Sequence, residues 1–509
     1  MKKNALLRLV FALSIVFAGA FGPVAAQDKS HQDKNGKASQ AQHQPPVGKG
    51  ILRLLPADSV TEHAIDTAQG KLAYTATAGT LTFYDQSGEQ SAAVFYTAYV
   101  AKNAAPNRPL TFAFNGGPGA ASAFLHLGLV GPRILNMGPN GRDPAQAALH
   151  DNPDTWLRFT DLVLIDPIGT GWSRSRMPDD AKHFWNVRSD ANSMAKAVAL
   201  YVAKNKRAGS PKYLLGESYG GFRAAKTARA LEKEQGIAVS GIVMLSPMLE
   251  GWLTFGDDQS ALRAALQLPS LAATELERKG AFSREALAAA EKFAMTDYLT
   301  TLAGSPPQGE AARAFYARVA QISGLPLDVV TKTRGFITDA FIKTLHSNKI
   351  VSRYDANFAV DDPYPELRSS HGPDPILDSL ARAYGGAFAA YARNELGFKT
   401  PMTYQLLAND VTRHWDWHSG RVQASVENEL RVLLSFSPSL RLLVAHGLSD
   451  MVTPYAMSRY ALDHLPPVDP PGRVALKLYR GGHMLYLDPA SRKAFSADAA
   501  KFYRTAEKE

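Results

Sequence analysis

The chain has no cysteine in 509 residues, which excludes disulfides, thiolate metal sites and a cysteine nucleophile. Stability has to come from packing alone, and a chain of this length can bury one large core plus an inserted or added domain. There is also no block of Lys and Arg and no basic stripe interleaved with aromatics. The formal charge of +9 falls to 9 − 3 = +6 once Lys2, Lys3 and Arg8 are set aside with the leader segment. A solvated surface accounts for that excess, and no nucleic-acid partner is expected. The apolar run from Leu9 to Phe21 is shorter than the roughly 20 residues of a membrane-spanning helix. It follows three bases and closes on Val24-Ala25-Ala26, the pattern of a secretory signal over residues 1–26 cleaved after Ala26. No Cys follows it, so lipid attachment there is excluded. The expectation is an exported protein, periplasmic or secreted, with no stable membrane insertion after cleavage. Residues 27–50 are polar with almost no apolar side chains and read as a disordered leader.

From Ile51 the pattern becomes structured. Alternation in Leu81-Thr82-Phe83-Tyr84 and from Ala93 to Val100 predicts antiparallel strands joined by Gly-containing turns. Beyond them, short apolar runs separated by helical stretches predict a mostly parallel sheet covered by helices on both faces, an α/β fold. Five runs stand out: Thr111–Phe114, Leu162–Ile165, Tyr213–Leu215, Leu442–Ala445 and Val474–Leu478. Between about Glu250 and Thr400 the sequence is Ala-rich and helix-favouring, with no comparable strand run. The expected organisation is therefore a core over 51–250 and 401–509, interrupted by a helical insertion over 251–400.

Four of the five runs end in a chemistry-bearing residue or a glycine loop, and open α/β sheets place their sites at these strand ends. Tyr213-Leu214-Leu215 leads into Gly216-Glu217-Ser218-Tyr219-Gly220, a strand-to-helix turn that projects a serine hydroxyl, with glycines relieving the crowding. The pentapeptide alone is weak; an ordinary Gly/Ser turn has the same look. Its context strengthens it: Asp450 lies 450 − 218 = 232 residues on, and His483 a further 483 − 450 = 33. Ser, Asp, His is the order of α/β-hydrolase triads. A serine is a poor nucleophile near neutral pH; it needs a histidine to take its proton and a carboxylate to fix that histidine's tautomer. Asn115-Gly116-Gly117-Pro118-Gly119, after the first of these runs, can aim backbone N–H groups at a developing oxyanion.

Taken together, Asn115-Gly-Gly-Pro-Gly, the Asn152-Pro153 and Trp156 stretch before Asp166, Gly-Glu217-Ser218-Tyr219-Gly-Gly and Gly482-His483-Met484 resemble the serine carboxypeptidase family, in an exported, bacterial form. The resemblance runs from about Leu81 to Asp488, with the insertion matching by position only. It implies an α/β-hydrolase fold with a helical cap and peptide substrates with a free C-terminus. It also implies catalysis by Ser218, Asp450 and His483, and an oxyanion hole formed by the N–H groups of Gly117 and Tyr219. Asn115, Gly116 and Glu217 are implied to grip the substrate's carboxylate, Glu217 in its protonated form, so that the grip favours acidic pH. An esterase, acyltransferase or aminopeptidase would use the same triad, and an inactive hydrolase-fold binding protein is the non-enzymatic alternative.

One departure stands out. The family's second Glu, two residues before the Gly-Pro that follows the glycine loop, is replaced by Leu129, ahead of Gly131-Pro132. Either carboxylate recognition is lost or a cation such as Arg133 or Arg223 shares it. Ala120 stands where secreted relatives often have a Cys. His414-Trp415-Asp416-Trp417-His418 has metal-donor types, but with no third ligand of matching pattern nearby, aromatic packing is expected instead. His446, at the end of the strand that leads to Asp450, is not expected to be the base. No cofactor and no metal are expected.

Overall fold

The computed structural model describes residues 49–505, apart from 68–69, 106, 139–140, 347 and 368–371. The expected signal segment and nearly all of the expected leader lie outside the described residues. No helix among the described residues is long and apolar enough to cross a membrane.

One large sheet organises the molecule. Three antiparallel strands come first: β1 (Ser59–Thr67), β2 (Gly70–Tyr84) and β3 (Gln90–Ala101). Six more follow along the chain: β4 (Leu110–Phe114), β5 (Asp161–Ile165), β6 (Lys212–Glu217), β7 (Gly241–Leu245), β8 (Arg441–Gly447) and β9 (Val474–Tyr479). The spatial order is β1-β2-β3-β5-β4-β6-β7-β8-β9, with the two-residue strand Arg174–Ser175 pairing β3. β3 meets β5 antiparallel, and from β5 to β9 every neighbour is parallel. This is the α/β-hydrolase fold, with its mixed, mostly parallel sheet.

The apolar runs are continuous because successive side chains enter two different cores. Ile242, Met244, Leu442 and Val444 pack on one face with Phe112, Phe222 and the helix Val187–Lys204. Val243, Leu245, Leu443 and Ala445 pack on the other with Trp156, Leu215 and Tyr503. β7 is a sixth parallel strand, fully buried, beyond the five apolar runs, and it ends in no chemistry-bearing motif.

The helix after Ser218 begins at once, running Tyr219–Ala230 and then loosening into a wider turn at Leu231–Gln235. Between β7 and β8 the chain is mainly helical, with Ala261–Arg278 at the centre of a separate apolar cluster containing Leu268, Leu271 and Tyr298. It also carries one short hairpin, Lys349–Val351 with Ala359–Asp361.

Candidate active site

Strand register brings the distant motifs to one edge. Phe114 pairs with Gly216, Leu245 with both Glu217 and Ala445, and Gly447 with Tyr479. The loops that follow these strand ends carry Asn115, Ser218, Asp450 and His483.

Ser218 sits between β6 and its helix with φ +61° and ψ −127°, a conformation costly for any residue with a Cβ. The turn is held by Ser218 N–H donating to Leu245 O at 2.9 Å and Gly221 N–H donating to Ser218 O at 2.9 Å. Its glycines leave room for close backbone packing. A Cβ on Gly216 would stand 1.9 Å from Gly220 O, and one on Gly220 would stand 2.5 Å from Phe114 O. Larger residues at either place would force the elbow open.

His483 Nδ1 lies 2.9 Å from Asp450 Oδ2. The Asp450 carboxylate is wholly buried and well supplied with donors. Val452 and Thr453 N–H donate to Oδ1 at 2.8 and 3.0 Å, and the Thr453 hydroxyl reaches Oδ2 at 2.9 Å. Burial opposes its charge, yet the facing imidazoles of His483 and His446 outweigh burial and hold Asp450 well below the usual carboxylate range. Burial likewise opposes an imidazolium at His483, and again the Asp450 charge and hydrogen bond win, leaving His483 above its ordinary value. The ring is further seated by Tyr354, whose carbonyl accepts from His483 N–H at 2.6 Å and whose ring meets the imidazole edge-on at 5.2 Å.

Ser218 and His483 line one cavity of about 350 Å³ together with Asn115, Gly116, Gly117, Glu217 and Tyr219. Tyr219 is the first residue of its helix, so its N–H has no intrahelical acceptor. Gly117 adopts φ +100°, and a Cβ on Gly116 would stand 2.6 Å from Tyr219 N. The glycine loop and the elbow are therefore in backbone contact, with Gly117 and Tyr219 both lining the cavity.

Glu217 is buried. Asn115 Nδ2 donates to its Oε2 at 2.6 Å, and Tyr486 OH lies 3.2 and 3.1 Å from Oε1 and Oε2. Burial pushes Glu217 up to about 7 against the opposing pull of His483 and of these donors. Asn115 is itself fixed, its Oδ1 accepting from Leu125 N–H at 3.0 Å.

The expected cationic substitute for the second acid is not found at either place. Arg223 is buried, pairs with Asp190 at 2.7 Å and donates to the Asn115 carbonyl from behind the loop. Arg133 pairs with Asp151 and with Glu395. Neither lines the cavity, because each is on a face already supplied with acids. Leu129 is buried in the core. The Arg223–Asp190 pair is structural: Arg223→Met leaves a buried carboxylate unpaired and is expected to lower stability by about 3–5 kcal/mol, read by urea denaturation, with Asp190→Asn in the same chain restoring part of the loss.

Asn152, from the stretch before Asp166, donates to the carbonyls of Leu129 and Gly131 at 2.8 Å each, and Trp156 Nε1 donates to Ser496 Oγ at 3.0 Å. Asn152 thus holds the turn at Gly131, and Trp156 is tied to the C-terminal helix Pro489–Thr505. In the aromatic segment, Trp415 and Trp417 pack edge-on against Tyr219 at 5.3 and 5.5 Å, and exposed His414 bonds the Asp410 carbonyl. No group of three or more metal-donor residues occurs among the described residues. His446 is buried behind Asp450, 3.9 Å from Oδ2, and engages Ser458 at 2.8 Å.

Sequence reasoning missed Thr453, Tyr354 and Tyr486. Thr453 alone left a signal, an Asp-x-x-Thr spacing in which a carboxylate caps the turn that precedes the helix Tyr455–Asp463. It also passed over Asp378 and Arg382, an ion pair of 3.0 Å from the inserted segment that lines the same cavity.

Comparisons with known proteins bear on the family and the fold. The serine carboxypeptidase family model matches residues 70–469, a stretch that includes Ser218 and Asp450 and ends before His483. Serine carboxypeptidase-like 29 of Arabidopsis thaliana is 27% identical over 143 residues, 28% of this chain and 28% of that protein. Carboxypeptidase sxa2 of Schizosaccharomyces pombe is 27% identical over 127 residues, 25% of this chain and 23% of that protein. The matched stretches thus span about a quarter of these relatives' length. Among solved structures, Kex1(delta)p, a prohormone-processing carboxypeptidase from Saccharomyces cerevisiae, superposes with a TM-score of 0.55 at 14% identity, covering 85% of this chain and 91% of that one. With its family model matched over most of its length and its sheet folded in the α/β-hydrolase manner, the chain belongs to the serine carboxypeptidase family.

Proposed function

We propose that the protein is a serine-type carboxypeptidase that releases C-terminal residues from peptides through an acyl-enzyme on Ser218. The observation that carries this reading is the meeting, in one cavity, of Ser218, the His483–Asp450 pair and the buried Asn115–Glu217 pair. The first set supplies acyl transfer. The second supplies a place for a terminal carboxylate.

In the reaction, Ser218 Oγ attacks the carbonyl carbon of the last peptide bond while His483 Nε2 takes the hydroxyl proton, and the oxyanion forms against the N–H groups of Gly117 and Tyr219. The C–N bond then breaks as His483 returns that proton to the leaving amine, and the terminal amino acid departs. Water repeats the sequence on the acyl ester, leaving the shortened peptide and free Ser218. Asp450 keeps the Nδ1 proton between itself and the imidazole throughout. Asn115, Gly116 and protonated Glu217 hold the terminal carboxylate, which sets the cleaved bond at one residue from the end.

Two titrations bound the activity. The base requires neutral His483, so the rate falls as pH drops below its raised value. The grip requires protonated Glu217, so it weakens as pH rises through about 7. A peptide and its C-terminal amide test the reading. The free acid is expected to be favoured in kcat/KM by about 100-fold, the worth of charge-assisted hydrogen bonds to the carboxylate. Equal rates on both would refute the carboxypeptidase assignment and leave an esterase or a related acyl-transfer enzyme.

A further inference from the structure

With Leu129 in place of the second acid, another group must stand beside Glu217 in the carboxylate grip. Glu217 has two side-chain partners, Asn115 and Tyr486. Tyr486 reaches it from the turn Leu485–Leu487, directly after His483 and Met484. Its ring is fully buried in the same core as Leu129. The ring is there by virtue of the residue next to Leu129: a Cβ on Gly128 would stand 2.4 Å from Tyr486 Cε2 and 3.2 Å from the Tyr384 hydroxyl. Three positions therefore go together, an apolar residue at 129, no side chain at 128 and a phenol at 486.

These contacts also fix where a proton on Glu217 can sit. Asn115 cannot turn its amide over, because its Oδ1 already accepts from Leu125 N–H. Its Nδ2 must donate to Oε2, which keeps that oxygen an acceptor. Tyr486 OH is a donor that lies within reach of both oxygens and can settle on Oε2. Oε1 is then the oxygen left to carry the proton.

We propose that Tyr486 is a positioning residue for the substrate's terminal carboxylate: its phenol takes the place of a second acid at Glu217 and leaves one proton, on Glu217 Oε1, in control of the grip. This rests on the carboxypeptidase reading above. Tyr486 stays protonated far above neutral pH, since burial and the Glu217 charge both raise it. The other titratable groups acting on Glu217 are His483 and Asp450 from the triad side, Tyr384 from the helix Ala381–Asn394, and Tyr354 from the inserted segment. The tyrosines do not titrate near neutral pH, and Asp450 stays ionised. The charge at Glu217 therefore switches with one proton where a pair of acids would share and exchange two.

The test is KM and kcat for a blocked peptide and for its amide, measured across about pH 5 to 9 on the wild-type protein and on Tyr486→Phe. In the wild type, log KM for the free acid should rise above about pH 7 with the slope of a single proton, while the amide shows no such limb. Removing the phenol takes a donor from the ionised Glu217, so in Tyr486→Phe the limb should move up by about one pH unit. On the acid side of it KM should be roughly 5- to 10-fold higher, with the effect on KM exceeding that on kcat. A limb that stays at the wild-type pH, or a loss confined to kcat, would overturn the proposal and leave the carboxypeptidase reading standing. Wild-type indifference to amidation would remove both. If Tyr486→Phe does not fold, the wild-type slope decides alone, one proton supporting the proposal and two contradicting it.

Discussion

Replacing Ser218 by Ala is expected to lower kcat on a peptide substrate by roughly 10⁴- to 10⁶-fold while leaving the fold intact. The size of the loss follows from the division of labour at the site. On the proposed reading the His483–Asp450 pair acts on the Ser218 hydroxyl, which the alanine lacks, so no nucleophile remains to be activated, and only the oxyanion amides and substrate binding are left to act. What survives is water attack in a cavity that still binds peptide. Stability should change by no more than about 0.5 kcal/mol, because Ser218 has its place through backbone hydrogen bonds, from its N–H to Leu245 and from Gly221 to its carbonyl, which alanine keeps. Far-UV circular dichroism and a denaturation curve beside the kinetics separate this result from unfolding.

Asp450→Asn should be nearly as damaging, lowering kcat by about 10⁴-fold, and the structure gives the reason. Asp450 Oδ1 accepts from the N–H groups of Val452 and Thr453. Those donors hold the asparagine's oxygen at that position, which puts its NH₂ where Oδ2 now faces His483 Nδ1. The amide then donates to Nδ1, and the imidazole's own proton is driven to Nε2, the nitrogen that must accept from Ser218. The variant imidazole also loses the charge that raises its pKa, so what activity is left should persist to lower pH than in the wild type. Steady-state kinetics over a pH series reads both effects.

The parts of the site that were legible in the sequence share a property: their chemistry depends on chain order. The strand ends, Gly216-x-Ser218-x-Gly220 and the order Ser218, Asp450, His483 can be read because parallel strands deliver their carboxyl ends to one edge whatever lies between them. Partners chosen by side-chain direction were not legible. Arg223 looks available beside the elbow, yet its helix turns it inward to Asp190. A missing acid at 129 suggested a cation nearby, whereas the residue bonded to Glu217 is a neutral phenol, 486 − 129 = 357 positions along the chain. β7 shows the converse: its five buried residues carry an obvious strand pattern, but nothing in it reports a role. The role appears only in three dimensions, where Leu245 O accepts from Ser218 N–H and Ser246 O lies 2.9 Å from the Thr453 hydroxyl oxygen.

The central claim is that one serine is made nucleophilic by a histidine and a carboxylate brought from far along the chain. It is tested most directly by treating the protein with a fluorophosphonate and measuring the intact mass, followed by mapping of the labelled peptide. The account predicts one adduct per chain, on Ser218, absent from Ser218→Ala and strongly slowed in Asp450→Asn. An unlabelled protein, or an adduct that persists in Ser218→Ala, would contradict it.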